Sequence, residues 1–276
     1  MSFKLTSIAV AALLAVNMAM AQTAAPKAPE PVKAPEPNYT VSYNLGVISD
    51  YRYRGLSQSR LQPALQGGLD YAHKSGFYLG AWASTIKWIN DTGKAQTPVV
   101  DVGSGTLEVD VYGGYKFEAT KGVSFDFGGL QYWYPGNKLV NVTGSSNANT
   151  FEFYGAVTMG PVTAKYSRSN GNLFGAGLTT GTTSTKGSGY FDLSATFDLS
   201  NGYSLVPHIG AQKVANTPNS SYSDYSLTLN KDMDGLVLSG AVVGTRTKNN
   251  GAYVSTAPDG KNLGKGAFVV SLKKNF

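Results

Sequence analysis

Acid–base chemistry in this chain would have to run through two histidines, His73 and His208. Proton transfer near neutral pH is most often a histidine's work, and a serine nucleophile needs such a base beside it. His73 lies next to the turn residues Lys74-Ser75-Gly76, and His208 sits within an extended segment where Ser204 is the nearby serine of matching parity. The stretch SRSNG (167–171) has the composition of a nucleophile loop but no local histidine. The chain has no cysteine, which excludes thiolate nucleophiles, thiolate metal sites and disulfide stapling. No His/Asp/Glu group has metal-ligand spacing either. No catalytic residue, metal or cofactor is expected, and the protein is not read as an enzyme.

The chemistry left is electrostatic, and it starts in SDYRYRGLSQSR (49–60). Tyr51, Tyr53 and Gly55 share one parity, and Asp50, Arg52 and Arg54 share the other. On an extended chain successive side chains point to opposite faces. A soluble sheet would turn the tyrosines inward. A barrel in lipid does the reverse, with Tyr51 and Tyr53 at an outer girdle and the charges in a wet lumen. Arg60 follows on the next strand, so three guanidiniums are expected to converge on one patch beside a loop at about 55–59. At similar depth the polar parity of other strands supplies Glu108, Asp110, Glu152, Asp192 and Asp224. With Asp50 these form the expected pore lining, above a lower set of Asp70, Lys116, Asp126, Lys165 and Asp198. Opposed basic and acidic arcs set up a transverse field that orients dipolar solutes and sets ion preference. The alternative is that the charges pair and fill a narrow barrel.

Positioning such a lumen takes strands. Alternating segments fall at 39–55, 60–73, 77–88, 105–118, 123–134, 150–160, 162–169, 189–199, 203–213, 222–231, 236–246 and 265–276, twelve in all. Tight turns follow the second, fourth, sixth, eighth and tenth (Lys74-Ser75-Gly76, Thr120-Lys121-Gly122, Gly160-Pro161, Ser200-Asn201-Gly202, Asp232–Gly235). Long polar loops follow the third, fifth, seventh and eleventh (89–104, 135–149, 170–188, 247–264), with a shorter one at 214–221. Short turns at one end and long loops at the other predict an all-β, transmembrane, antiparallel up-and-down β-barrel. The apolar parity agrees. Leu107, Val109, Val111, Tyr115 and Phe117 oppose Glu108, Asp110, Tyr112, Lys116 and Glu118, and Tyr225, Leu227 and Leu229 oppose Asp224, Ser226, Thr228 and Asn230. Strands 3 and 11 are apolar on both faces and stay unassigned. Aromatics gather near strand ends (Tyr51, Tyr53, Phe77, Tyr78, Trp88, Phe117, Trp133, Tyr134, Tyr190, Tyr203), as an interfacial girdle requires. Outside the N-terminus no apolar run is long enough for a membrane helix.

Residues 1–21 combine Lys4, an apolar stretch (Ile8–Val16) and Ala19-Met20-Ala21, the pattern of a cleaved signal peptide. Residues 22–38 are rich in Pro and Ala and read as a disordered periplasmic tether, which leaves 39–276 as the barrel. The net charge of +6 is scattered, so nucleic acid is not an expected partner. The expected location is the outer membrane of a Gram-negative bacterium. The expected partners are its lipid, small hydrophilic solutes and, during biogenesis, the barrel-assembly machinery, whose recognition signal the terminal strand FVVSLKKNF with Phe276 resembles.

The motifs SDYRYRGLSQS, PALQGGLDY (63–71), GFYLGAWAS (76–84) and YWYPG (132–136) resemble those of the TorF-type family of outer-membrane porins. The likeness spans nearly the whole mature chain and is densest over 40–90. It implies an outer-membrane barrel that conducts small solutes and brings no catalytic residues with it. Residues and resemblance together predict a channel for passive diffusion of small hydrophilic solutes. A structural or adhesive barrel with a closed lumen is the alternative; it would call for long apolar or repetitive loops, and these are polar and of modest length.

Overall fold

Alternation without an inward-facing core is what the strands carry out. The computed structural model describes residues 37–177, 184–247 and 259–276. The expected signal peptide and nearly all of the expected tether lie outside the described residues.

Among the described residues the strands are β1 (Tyr39–Ile48), β2 (Ala64–His73), β3 (Phe77–Thr85), β4 (Leu107–Thr120), β5 (Val123–Trp133) and β6 (Thr150–Met159). They continue as β7 (Val162–Ser169), β8 (Gly189–Ala195, resuming as Phe197–Ser200), β9 (Tyr203–Lys213), β10 (Tyr222–Met233), β11 (Leu236–Thr247) and β12 (Ala267–Asn275). Each pairs antiparallel with its sequence neighbours, and β1 pairs with β12, so twelve strands close on themselves. The seam sets Asn44 against Asn275 and Ile48 against Ser271. Phe276 finishes it, its N–H donating to the Tyr43 carbonyl at 2.9 Å while its ring stacks on Tyr43. Closure satisfies the ladder without an edge, the condition for crossing lipid with strands.

The tight turns sit where predicted. At 200–202 Ser200, Asn201 and Gly202 all take positive φ, and a Cβ on Gly202 would run into the Asp232 carbonyl. The outer face is apolar, with Leu45, Leu69, Leu79, Phe127, Ile209 and Val242 each about half exposed. The parity expected of β4 and β10 is observed, with Leu107, Val111, Leu227 and Leu229 outward and Glu108, Asp110 and Asp224 buried inward. The two unassigned strands resolve as well. Phe77 and Leu79 of β3 and Leu238 and Val242 of β11 face out, and Trp82 and Val243 face in. On the outer face a ladder of rings runs from Phe77 through Tyr115, Phe117 and Phe125 to Phe127.

The opening segment departs from expectation. β1 stops at Ile48 and β2 starts at Ala64, so the first loop is 49–63 and not 55–59. Ser49 makes the last ladder bond, donating to Val270. Beyond it the β2 side of the ladder is gone, because β2 begins at Ala64, opposite Ile48, and Pro63 before it has no N–H to offer. The chain therefore turns into the barrel as a small hairpin, pairing Arg52 with Ser57 and Tyr53 with Leu56 around Arg54 (φ 47°) and Gly55 (φ 80°). Tyr51 is 7% exposed and packed inside, so the reading of Tyr51 and Tyr53 as lipid-facing is wrong. Tyr78, Trp88, Tyr134 and Tyr190 are also interior, whereas Phe77, Phe117, Trp133 and Tyr203 remain outside.

The loop predicted at 89–104 contains a short helix, α1 (Trp88–Lys94). Ile86 and Ile89 from this loop, Val102, and Leu139, Val142 and Ala148 from the loop after β5 are buried around Tyr51, Tyr132 and Tyr134. The only apolar core of the described residues is thus built by loops, over the long-loop end of the barrel.

Candidate functional site

Twelve strands leave more room than side chains alone fill, and the lumen holds several cavities. One of about 530 Å³ lies at the tight-turn end, lined by Asn44, Gln66, Trp82, Ser204, Asn230, Ser239 and Lys273. A chamber of about 540 Å³ is bounded by Tyr51, Trp82, Asp110, Tyr112, Asp126 and Lys165. Adjoining it at Lys165, a cavity of about 340 Å³ is lined by Arg52, Arg54, Tyr190, Asp192, His208 and Asp224. Toward the long loops only about 110 Å³ remains, between Tyr53, Trp88, Tyr132, Tyr134 and Phe174. The narrowing coincides with the inward hairpin.

Arg54, at the hairpin tip, crosses the lumen. Its Nη2 meets Glu152 Oε2 at 2.7 Å, its Nη1 meets Glu152 Oε1 at 3.1 Å, and Nη1 also donates to Gln212 Oε1 at 2.7 Å. The guanidinium lies between the rings of Tyr53 and Tyr190, 4.7 and 4.3 Å from their centroids. A planar cation that both forks a carboxylate and stacks on aromatics is the role arginine fills and lysine cannot. Tyr53 and Tyr132 join hydroxyls at 2.6 Å on the same level.

Arg52 does different work. Its Nε pairs with Asp50 at 2.5 Å, and its Nη1 donates to the carbonyls of Gly55, Leu263 and Lys265. Asp50 in turn accepts from the hydroxyls of Ser57 and Ser59. Asp50 and Arg52 are buried clamps that hold the hairpin closed and tie it to the loop before β12. Arg60 turns away to bridge Asp91 of α1 at 3.1 Å and Asp259 at 3.0 Å. The three guanidiniums therefore do not form one patch: the hairpin reverses direction at Arg54 and sends each to its own carboxylate.

The acidic positions also separate. Glu108 accepts from the hydroxyls of Tyr51 (2.5 Å) and Tyr134 (2.9 Å) and has no cation partner among the described residues. Burial pushes both hydroxyls well above their ordinary range and the Glu108 charge adds to it, so they stay neutral donors. Glu152 is taken by Arg54. Asp192 meets His208 Nε2 at 2.9 Å, and Asp224 accepts from Tyr190 Oη at 3.1 Å and lies 3.7 Å from His208 Nδ1. Asp110 is 8% exposed, and its carboxylate has no partner among the described residues.

Of the interior tyrosines, Tyr112 has the inward parity in the sequence, whereas Tyr190 reads there as a girdle residue, although glycines mark both. Tyr112 lies flat over Gly80 of the neighbouring strand and Tyr190 over Gly210, each where a Cβ would collide with the ring. An inward-parity glycine is the available signal for a ring laid along the wall. Gly68, paired with Trp82, marks that ring in the same way, and Gln212 carries no such mark.

The family model described as "Bacterial protein of unknown function (Gcw_chp)" matches residues 32–276. The chain belongs to the Gcw_chp family. That match takes in every motif by which the sequence resembles the TorF-type porins. No curated protein matches this Gcw_chp chain. Among solved structures it is similar to the KdgM porin, at 8% identity and TM-score 0.48, covering 86% of this chain and 98% of that one. It is similar to the NanC porin at 10% identity and TM-score 0.47, covering 86% and 99%. An outer membrane channel from Pseudomonas putida F1 matches at 13% identity and TM-score 0.44, covering 90% and 99%. Two of those solved structures are porins and the third is an outer membrane channel.

Proposed function

We propose that the protein is an outer-membrane channel for passive diffusion of small hydrophilic solutes, narrowed where Arg54 spans the lumen to Glu152. The observation that carries this reading is the pairing of an apolar outer belt with a lumen that keeps cavities of about 340, 530 and 540 Å³, bordered by charged and polar side chains and adjoining at Lys165 and Trp82. A barrel whose interior served only for strength would fill it. The tight turns face the periplasm and the long loops the exterior, the Gram-negative arrangement, with an exported precursor and assembly by the barrel machinery. The TorF-type porin character of the motifs fits the same assignment. Arg54, Lys165, Asp192 and Asp224 line the solute path, with Glu152 buried behind Arg54 and Asp110 and Glu108 beside the path. Asp50 and Arg60 brace the constriction without lining it, and Arg52 both braces it and borders the 340 Å³ cavity.

Single-channel recording on the refolded full-length protein in planar bilayers tests this. Discrete conductance steps are expected. A second reading, a closed structural or adhesive barrel, draws on the loop-built core over the long-loop end. Assembled, heat-modifiable protein that never conducts would overturn the channel and favour that reading.

A further inference from the structure

The 540 Å³ chamber has a property that diffusion alone does not call for. Asp110 projects into it from β4, more than nine-tenths buried, with no hydrogen bond or ion pair among the described residues and with Oδ1 wholly enclosed. A buried carboxylate left in this state is expensive unless a counter-charge reaches it. The other charges of the chamber do not supply one. Asp126 accepts from the Tyr78 hydroxyl at 2.6 Å, and Lys165 places its Nζ 4.0 Å from the centroid of the Tyr154 ring. Two carboxylates thus face one ammonium, and that ammonium is seated on a π-face away from Asp110.

The walls beside Asp110 are aromatic. Tyr51 and Trp82 meet at 5.4 Å between centroids with their planes 62° apart, so two π surfaces present at an angle to the same space. The Tyr112 hydroxyl is spent on Asp70 at 2.5 Å, which leaves its ring and not its oxygen as a contact. Trp82 also borders the 530 Å³ cavity at the tight-turn end, so the chamber is reached past it. Ring faces attract cations through their quadrupole, and a carboxylate with no competing partner adds a full charge. An anion would meet Asp110 and Asp126. A hydrated alkali ion would find one free carboxylate and no further oxygen cage.

We propose that this chamber is a binding site for a small organic cation, an ammonium with an apolar body, held by the Asp110 carboxylate against the Trp82 and Tyr51 rings. The site goes beyond diffusion through the lumen and stands whether or not the barrel conducts. Its test is saturation-transfer NMR on the refolded full chain, titrated with choline chloride and, separately, with 3,3-dimethyl-1-butanol, the neutral isostere of choline. Saturable choline binding is expected, with the isostere about tenfold weaker or worse. Asp110→Asn should weaken choline by about tenfold while leaving the isostere unchanged, and Trp82→Leu should weaken both. The heat-modifiable mobility of each variant checks assembly, and the two ligands on the unaltered protein decide the matter even where a variant fails to assemble. Absence of choline binding, equal affinity for the isostere or for a neutral hexose, or choline binding unaffected by Asp110→Asn would each overturn the site.

Discussion

Arg54 holds Glu152 from across the barrel with both guanidinium nitrogens, at 2.7 and 3.1 Å, and both side chains are nearly out of solvent. Breaking such a pair from one side leaves a buried charge, which costs about 3–5 kcal/mol, whereas removing both partners can be close to neutral. Arg54→Ala should therefore lower the temperature at which the barrel loses its compact mobility in SDS. Arg54→Ala combined with Glu152→Gln should recover most of that loss and conduct more than the unaltered protein. If the double variant is as unstable as the single one, the arginine acts through its stacking on Tyr53 and Tyr190 and not through the ion pair.

Leu227 and Thr228 sit side by side in the middle of β10, one on the apolar outer face and the other toward the lumen. Arginine at the first position would place a charge in hydrocarbon, at about 2–4 kcal/mol near mid-depth. At the second it would enter a wet interior. Leu227→Arg should reduce the yield of assembled barrel and its unfolding midpoint in urea, and Thr228→Arg should do neither. Damage from Thr228→Arg with none from Leu227→Arg would invert the facing of β10, and equal damage from both would contradict any such facing.

Most of the barrel could be read before any coordinates. Strand number, turn ends and the facing of β4 and β10 all follow from period-two alternation and turn chemistry, which are local signals. What could not be read begins at Ser49, where β2 no longer flanks the chain, which leaves the ladder although its alternation continues. Tyr51 and Asp50 keep opposite parity in the hairpin, but both are inside. The Arg54–Glu152 contact was anticipated as opposed charge, yet its partner was one of several carboxylates of equal standing in the sequence. Only the hairpin's reversal at Arg54 and Gly55 selects it. Trp82 was hidden because β3 is apolar on both faces.

Asp91 gives the long-loop end a pH dependence of definite sign. Burial raises its carboxyl above the ordinary value of 3.8, with Arg60 pulling the other way. A carboxyl raised in the folded state contributes stability that is fully present below its unfolded value and is lost as pH rises through the folded one. Protection of α1 amides from hydrogen exchange should thus fall as pH climbs out of the ordinary carboxylate range, after correction for intrinsic exchange. Asp91→Asn should abolish that component and leave the opposite trend of Asp101, whose carboxyl is held low first by the Gly103 N–H and then by Lys138. Protection that rises with pH in the difference between unaltered protein and Asp91→Asn would contradict the assignment.

The hairpin at 50–59 is a fixed constriction on this reading, because its anchors reach three separate parts of the barrel. Arg54 reaches Glu152 of β6, Arg52 reaches the carbonyls before β12, and the Gln58 carbonyl accepts from the N–H groups of Lys87 and Trp88 after β3. The last contact offers a way to lock it. The chain has no cysteine, so Gln58→Cys with Lys87→Cys can form one disulfide and no other. Their direct backbone hydrogen bond, 2.9 Å from Lys87 N to Gln58 O, brings the two positions within a disulfide's span. If solutes pass beside a stationary hairpin, the oxidised and reduced forms should conduct equally, with the same selectivity. A conductance that vanishes on oxidation and returns with reductant would mean that the hairpin must swing out of the lumen, and the constriction would then be a gate.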